Sequence, residues 1–160
     1  IGGILPLIVT HKTKVIALCQ SGHGSAETTE LKVALAGQLV EKLTGAGVPL
    51  DDIYIDPLVF PLSTNPKSAN ATLDAIGEIM KQFPGAHTIC GLTNVSYGLP
   101  SRKLVNRAFL AAAITKGLDS AIIDPTDKLL YAMLKAATLV AGKDDYCMDY
   151  ICAFREGRLE

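Results

Sequence analysis

Residues 88–102, TICGLTNVSYGLPSR, run from a short apolar stretch into glycine, threonine, asparagine and serine, and then into a Pro-Ser pair that opens a helical pattern. Thr88-Ile89-Cys90 reads as a buried strand, and the residues behind it put hydroxyl and carboxamide groups at its carboxyl end. Barrel and doubly wound α/β proteins build their sites at that end of a strand. A second strand, Ile53-Tyr54-Ile55, runs straight into Asp56-Pro57-Leu58. Two strand ends therefore present a carboxylate and a carboxamide.

Working outward, short apolar strands begin near Lys14 (KVIALC), Asp52 (DIYID), His87 (HTICGL) and Asp119 (DSAIID), and an amphipathic helical pattern follows each. Leu31, Leu35, Leu39 and Leu43 mark the apolar face of the first helix. Leu73, Ile76, Met80 and Phe83 mark the second; Leu104, Val105, Ala108, Phe109 and Ala112 the third; Leu130, Met133, Leu134 and Ala137 the fourth. This alternation predicts a parallel sheet covered by helices. Gly45-Ala46-Gly47 ends the first helix before Pro49, Ser101 is placed to cap the third, and Asp124-Pro125 offers a capping carboxylate with proline at the first helical position. Ile1 to Val9 reads as the tail of a helix, and Tyr146 to Phe154 as a last one with Tyr146, Tyr150, Ile151 and Phe154 turned inward.

At 160 residues the chain fits one domain, spanning 1–160, with a sizeable core. A net charge of −1 and a pI near 6.3 make no electrostatic case for nucleic acid or an anionic membrane surface. The longest apolar runs fall short of the roughly 20 residues a membrane span needs, and the first residues lack the pattern of a signal peptide. Cys19, Cys90, Cys147 and Cys152 include no CxxC pair, and His11, His23 and His87 are scattered without ligand spacing. Reduced thiols, no metal and a cytoplasmic location are the expectation. Ser21-Gly22-His23-Gly24-Ser25 lacks both phosphate-loop patterns and reads as a strand-to-helix connection.

The pieces IYIDPLVFPL (53–62), GLTNVS (91–96), RKLVNRAFL (102–110) and GLDSAIIDPTD (117–127) resemble the methyltetrahydrofolate:corrinoid methyltransferases, of the pterin-binding superfamily that also holds dihydropteroate synthase. The resemblance covers nearly the whole chain in the family's order and spacing. It implies transfer of a methyl group between N5 of tetrahydrofolate and the cobalt of a separate corrinoid protein. It also implies a fold: the β/α units align with the second half of a TIM (β/α)8 barrel, so the chain is expected to be the carboxyl-terminal half, truncated at its amino terminus. Four strands cannot close a barrel, and the edges and inward face expect a partner surface. A mean hydropathy of +0.30 agrees. The cobalamin-binding pattern Asp-x-His-x-x-Gly is absent, which assigns the cobalamin to the partner protein. Family members are usually homodimers.

On this resemblance Asp56 receives the pterin, because an ionised carboxylate accepts the adjacent N3–H and 2-amino donors as a fork; the plain alternative is a turn-forming Asp-Pro. Asn94 is the catalytic contact at N5, where an amide can stabilise developing charge or order a proton-delivering water; alternatively it bonds its own backbone. Gly91 allows close approach to a flat ring, Thr93 can bond the folate or its water, and Ser96 and Tyr97 lie farther along the loop. Tyr97 stands where the family often carries an amide. Arg102 suits the anionic aryl-glutamate end or else a solvated first turn. Ile122 packs against the pterin face or serves as core. Asp124 and Asp127 cap the next helix, and Asn106 and Arg107 fix helix or loop contacts. Two other readings stay open: a dihydropteroate synthase-like enzyme, and an inactive pterin-binding half-barrel module.

Overall fold

A computed structural model describes residues 3–21 and 24–159. The chain begins with helix α1 (Leu5–His11) and strand β1 (Val15–Leu18). A two-residue antiparallel pair, β2 (Gln20–Ser21) and β3 (Gly24–Ser25), leads to α2 (Thr29–Gly45). Then come β4 (Ile53–Asp56), α3 (Ser68–Gln82), β5 (His87–Gly91), α4 (Arg102–Lys116), β6 (Ser120–Ile122), α5 (Lys128–Val140) and α6 (Met148–Arg155). Gly22 and His23, the middle of the Ser-Gly-His-Gly-Ser connection, lie outside the described residues.

The four longer strands form one parallel sheet in the order β1-β4-β5-β6. Each new strand joins the same side of the last, so the right-handed crossovers all run one way and bring the helices to one face. A doubly wound sheet reverses its order at a switch point; this sheet does not, and it has the form of part of a β/α barrel. The expected fold class is borne out.

The two faces differ sharply. Ile53 and Ile55 point to the helices and are wholly buried, whereas Ile16 and Leu18 on the opposite face are 48% exposed and Ile122 is 57% exposed. The core lies on the helix side in two adjoining clusters. One joins Ala17, Ile53 and Ile55 to Ala36, Val40 and Leu43 of α2, and the other joins Cys90 to Ile76, Phe109, Leu110 and Ala113.

Several helix faces depart from expectation. In α2 the buried residues are Lys32, Ala36, Val40 and Leu43, so the inward stripe is turned by about one residue and Leu31 is exposed. In α4 Leu104 and Ala108 face solvent, while Asn106, Phe109, Leu110, Ala113 and Ile114 go inward. In α6 it is Ala153 that is buried; Tyr146 is 93% exposed and stands before the helix, and Phe154 is exposed as well. Leucine and alanine recur at spacings that fit two adjacent stripes, and the choice between them is made by the neighbouring helix.

Helix ends follow local chemistry. Thr28 caps α2 by accepting the Leu31 amide. Ser101 makes no capping bond and holds a left-handed backbone, contrary to expectation. Asp127 caps α5, whereas Asp124 stops short of the helix and closes a turn on the Thr126 amide and hydroxyl. Gly117 ends α4 at φ +116°, a conformation that suits glycine.

Candidate functional site at the strand carboxyl ends

The carboxyl ends of β4 and β5 lie side by side, and their loops are tied together. The Leu62 amide donates to the Val95 carbonyl at 3.0 Å, and the Ser63 hydroxyl donates to the Tyr97 carbonyl at 2.7 Å. Gly98 adopts φ +79° against Ser63, and a Cβ there would sit 3.0 Å from its Oγ. The two loops thus form one rim.

Asp56 is the last residue of β4 and is only 8% exposed. Its Oδ1 accepts the Leu58 amide at 2.8 Å, so the turn-forming reading holds. That bond uses one lone pair of one oxygen. Among the described residues no hydrogen bond reaches Oδ2, and the carboxylate keeps acceptor capacity for an incoming pair of donors. Burial raises its pKa, opposed by the Leu58 N–H and by the Lys32 ammonium.

Gly91 ends β5, beside Ile122 in register. A Cβ at Gly91 would meet only the Asn94 carboxamide nitrogen, at 3.5 Å. The space in front of Gly91 is otherwise open, and Asn94, itself exposed, borders it. Asn94 belongs to a short 3-10 turn, Leu92–Ser96, in which Leu92 and Val95 are buried and anchor the loop to the core. The turn leaves the Asn94 side chain on the rim.

Ser96 is buried, with its hydroxyl donating to the Thr93 carbonyl at 3.2 Å. Arg102 reaches back from the start of α4, its Nε donating to Ser96 Oγ at 3.1 Å and Nη2 to the Thr93 carbonyl at 2.9 Å. Its guanidinium also lies 5.8 Å from the centre of the Tyr97 ring, which is 65% exposed. Arg102 therefore braces the loop that carries Asn94. Ile122 lies on the open face of the sheet, so its core reading does not hold. Arg107 donates to Asp127 at 3.1 Å, as expected of a helix-fixing residue. Asn106 is buried on the inward face of α4, and no bond reaches its Oδ1.

The apolar-stripe reading places Lys32 on a solvated face, yet its side chain is fully buried beneath the Asp56 turn. Its Nζ donates to the carbonyls of Pro57 and Leu58, each at 2.6 Å, and lies 4.7 Å from the centre of the Phe60 ring. Burial lowers its pKa to about 8, so it is charged at neutral pH. Cys19 and Cys90 are buried nearby, and desolvation pushes each thiol up to about 12, which removes them as nucleophiles. Among the described residues no group of three or more His, Cys, Asp or Glu could hold a metal ion, and no helix is long and apolar enough to cross a membrane.

A one-faced parallel β/α sheet with an acceptor carboxylate and a carboxamide on adjoining strand ends is the strand-end arrangement of the β/α-barrel class. Residues 4–124 match the pterin binding enzyme family, and the chain belongs to it. It is 35% identical over 149 residues to the methylcorrinoid:tetrahydrofolate methyltransferase of Eubacterium limosum, covering 91% of this chain and 54% of that protein. It is 36% identical over 126 residues to the methionine synthase of Mycobacterium tuberculosis and 38% identical over 126 residues to that of Mycobacterium leprae, covering 74% of this chain in each case. The chain thus spans about half the length of the first relative, and 11% and 10% of the synthases.

Proposed function

We propose that this chain is a single pterin-binding domain of a cytoplasmic methyltetrahydrofolate:corrinoid protein methyltransferase, moving a methyl group between N5 of tetrahydrofolate and the cobalt of a separate corrinoid protein. The observation that carries the reading is Asp56: a buried carboxylate at a strand's carboxyl end, with one oxygen unused among the described residues, in a chain 35% identical to a protein named for methyl transfer between a corrinoid and tetrahydrofolate. A pterin offers two adjacent N–H donors, and Asp56 accepts both with Oδ2 and the second lone pair of Oδ1. The flat ring then lies over Gly91, where a side chain would intrude, with Ile122 as an apolar neighbour.

Asn94, at the edge of the same space, faces the part of the ring that carries N5. When the N5–methyl bond breaks, the electron pair stays on nitrogen, and a carboxamide N–H directed at it stabilises that charge more than it stabilises the ground state. Asn94 has no proton to give; it orders the water that does. The corrinoid partner supplies the cobalt that exchanges the methyl group and docks over the rim. Thr93, Ser96, Tyr97 and Arg102 shape the rim where the folate's benzoyl-glutamate tail leaves. The protein pairs as a homodimer, as the family resemblance implies.

Calorimetric titration with 5-methyltetrahydrofolate tests the recognition step. Asp56→Ala is expected to abolish binding, and binding that survives it removes the pterin from this carboxylate. In single-turnover methyl transfer to a corrinoid protein, Asn94→Ala is expected to slow the rate by about 10–100-fold while changing folate affinity much less, as for loss of one donor to developing charge. An equal loss in affinity and rate would make Asn94 a binding residue only.

A further inference from the structure

We propose that Lys32, a residue of α2 outside the strand-end rim, is a positioning residue that locks the Asp56-Pro57-Leu58 turn and thereby aims the Asp56 carboxylate at the pterin. This rests on the reading of Asp56 as the pterin-binding group. The Lys32 ammonium donates to two consecutive carbonyls, Pro57 O and Leu58 O, at 2.6 Å each, and Leu58 O also accepts the Thr72 hydroxyl of α3 at 3.3 Å. Two successive carbonyls converging on one cation accompany a left-handed backbone at Leu58, with φ +59°, which a leucine rarely adopts without compensation. In the same turn the Leu58 amide donates back to Asp56 Oδ1 at 2.8 Å. Oδ1 is thereby fixed, and among the described residues Oδ2 takes no hydrogen bond.

Burying an ammonium is costly, and an apolar residue of similar length would fill the space more cheaply if packing were its only purpose. What the charge adds is a pair of strong hydrogen bonds to a strained turn and a field on the carboxylate. The charged and titratable groups around Lys32 are Asp56 of β4, Cys19 after β1 and Glu27 before α2. The Phe60 ring covers it, and the Ser68 hydroxyl of α3 holds the Phe60 carbonyl at 2.9 Å. The turn that presents Asp56 is thus held from both flanking helices, with the cation at its centre.

Two variants and a pH series test this. The dissociation constant for 5-methyltetrahydrofolate is measured from about pH 6.5 to about pH 9.5, a span that crosses the lysine titration, in the wild type, Lys32→Arg, Lys32→Met and Asp56→Ala. Hydrogen exchange of the Leu58 amide is followed in parallel. Wild-type affinity is expected to fall as pH rises through about 8, where Lys32 loses its charge. Lys32→Arg keeps its charge and is expected to bind with a flat profile over the same range. Lys32→Met is expected to bind about tenfold or more weakly at every pH, the scale of losing a charge-assisted pair of hydrogen bonds, with faster Leu58 exchange.

A folded Lys32→Met that binds like the wild type overturns the proposal. So does a wild-type profile that Lys32→Arg reproduces limb for limb. If Asp56→Ala leaves affinity unchanged, or the folded wild type does not bind, the pterin reading fails instead; the lock on the turn is then decided by Leu58 exchange, and an amide as protected in Lys32→Met as in the wild type overturns that too.

Discussion

Asp56 and His87 occupy opposite ends of the same sheet face and show how place decides what a charge does. Asp56 closes β4 at the rim, buried and with acceptor capacity to spare, while His87 opens β5 at the other end among partners that use it up. The His87 ring stacks on Tyr54 at 4.5 Å, with Nδ1 2.6 Å from Asp119 Oδ2 and Nε2 3.3 Å from Asp51 Oδ1. Only the imidazolium donates from both nitrogens, and the hydrogen bond to Asp119, followed by the other carboxylate contacts, raises the His87 pKa. The unfolded chain takes up its proton near pH 6.5 and the folded chain at higher pH, so this contribution is complete below the unfolded value and is lost as pH rises through the folded one. Urea denaturation from about pH 6 to about pH 7.5, below the Lys32 titration near 8, is therefore expected to show stability declining with pH in the wild type. His87→Gln should flatten that slope; an unchanged slope would place its origin elsewhere. Asp56 and Asn94 were legible as residues because polar groups directly behind an apolar run stand at a strand's end. Lys32 was not, since a lysine between Leu31 and Val33, off the leucine stripe, reads as solvated face until the turn above it is seen to offer two carbonyls.

At the scale of the element, each βα unit is set by its ends as much as by its stripe. Asp127 carries three tasks at once: it accepts the Leu130 amide, the Arg107 guanidinium at 3.1 Å and the Lys103 ammonium at 3.5 Å, which joins the start of α5 to α4. Its carboxyl is held below the usual range, first by Arg107. Asp127→Ala is expected to destabilise the protein, as loss of a helix cap does, measured as a lower urea midpoint. Asp124→Ala, which removes a turn outside the helix, should cost less. Equal losses would show that the cap is not what holds α5 in place. Strand positions, the end of α2 at Gly45 and the cap at Asp127 follow from local chemistry and could be read directly. The inward faces of α2 and α4 could not, because Leu31 and Lys32, or Ala108 and Phe109, compete for a stripe that only the adjoining helix selects.

For the whole molecule the governing fact is that the sheet has one covered face and one open face. Ile55 is wholly enclosed by helices, and Ile55→Ala is expected to cost about 2–5 kcal/mol through lost burial and the cavity left behind. Ile122, more than half exposed on the open face, is expected to tolerate threonine within about 0.5 kcal/mol, as surface positions do. Both are measured by urea denaturation of the same preparation; a large loss at Ile122 would mean that the open face is covered in solution. The sequence by itself determined the β/α order, the parallel sheet and the family, because hydrophobic period, turn residues and motif spacing are written along the chain. Only the tertiary structure decided which helix stripe turns inward, that Arg102 braces the Asn94 loop, and that a buried ammonium from α2 holds the Asp56 turn. Those are contacts between residues of different elements, and their energies depend on distance and burial that no local pattern records.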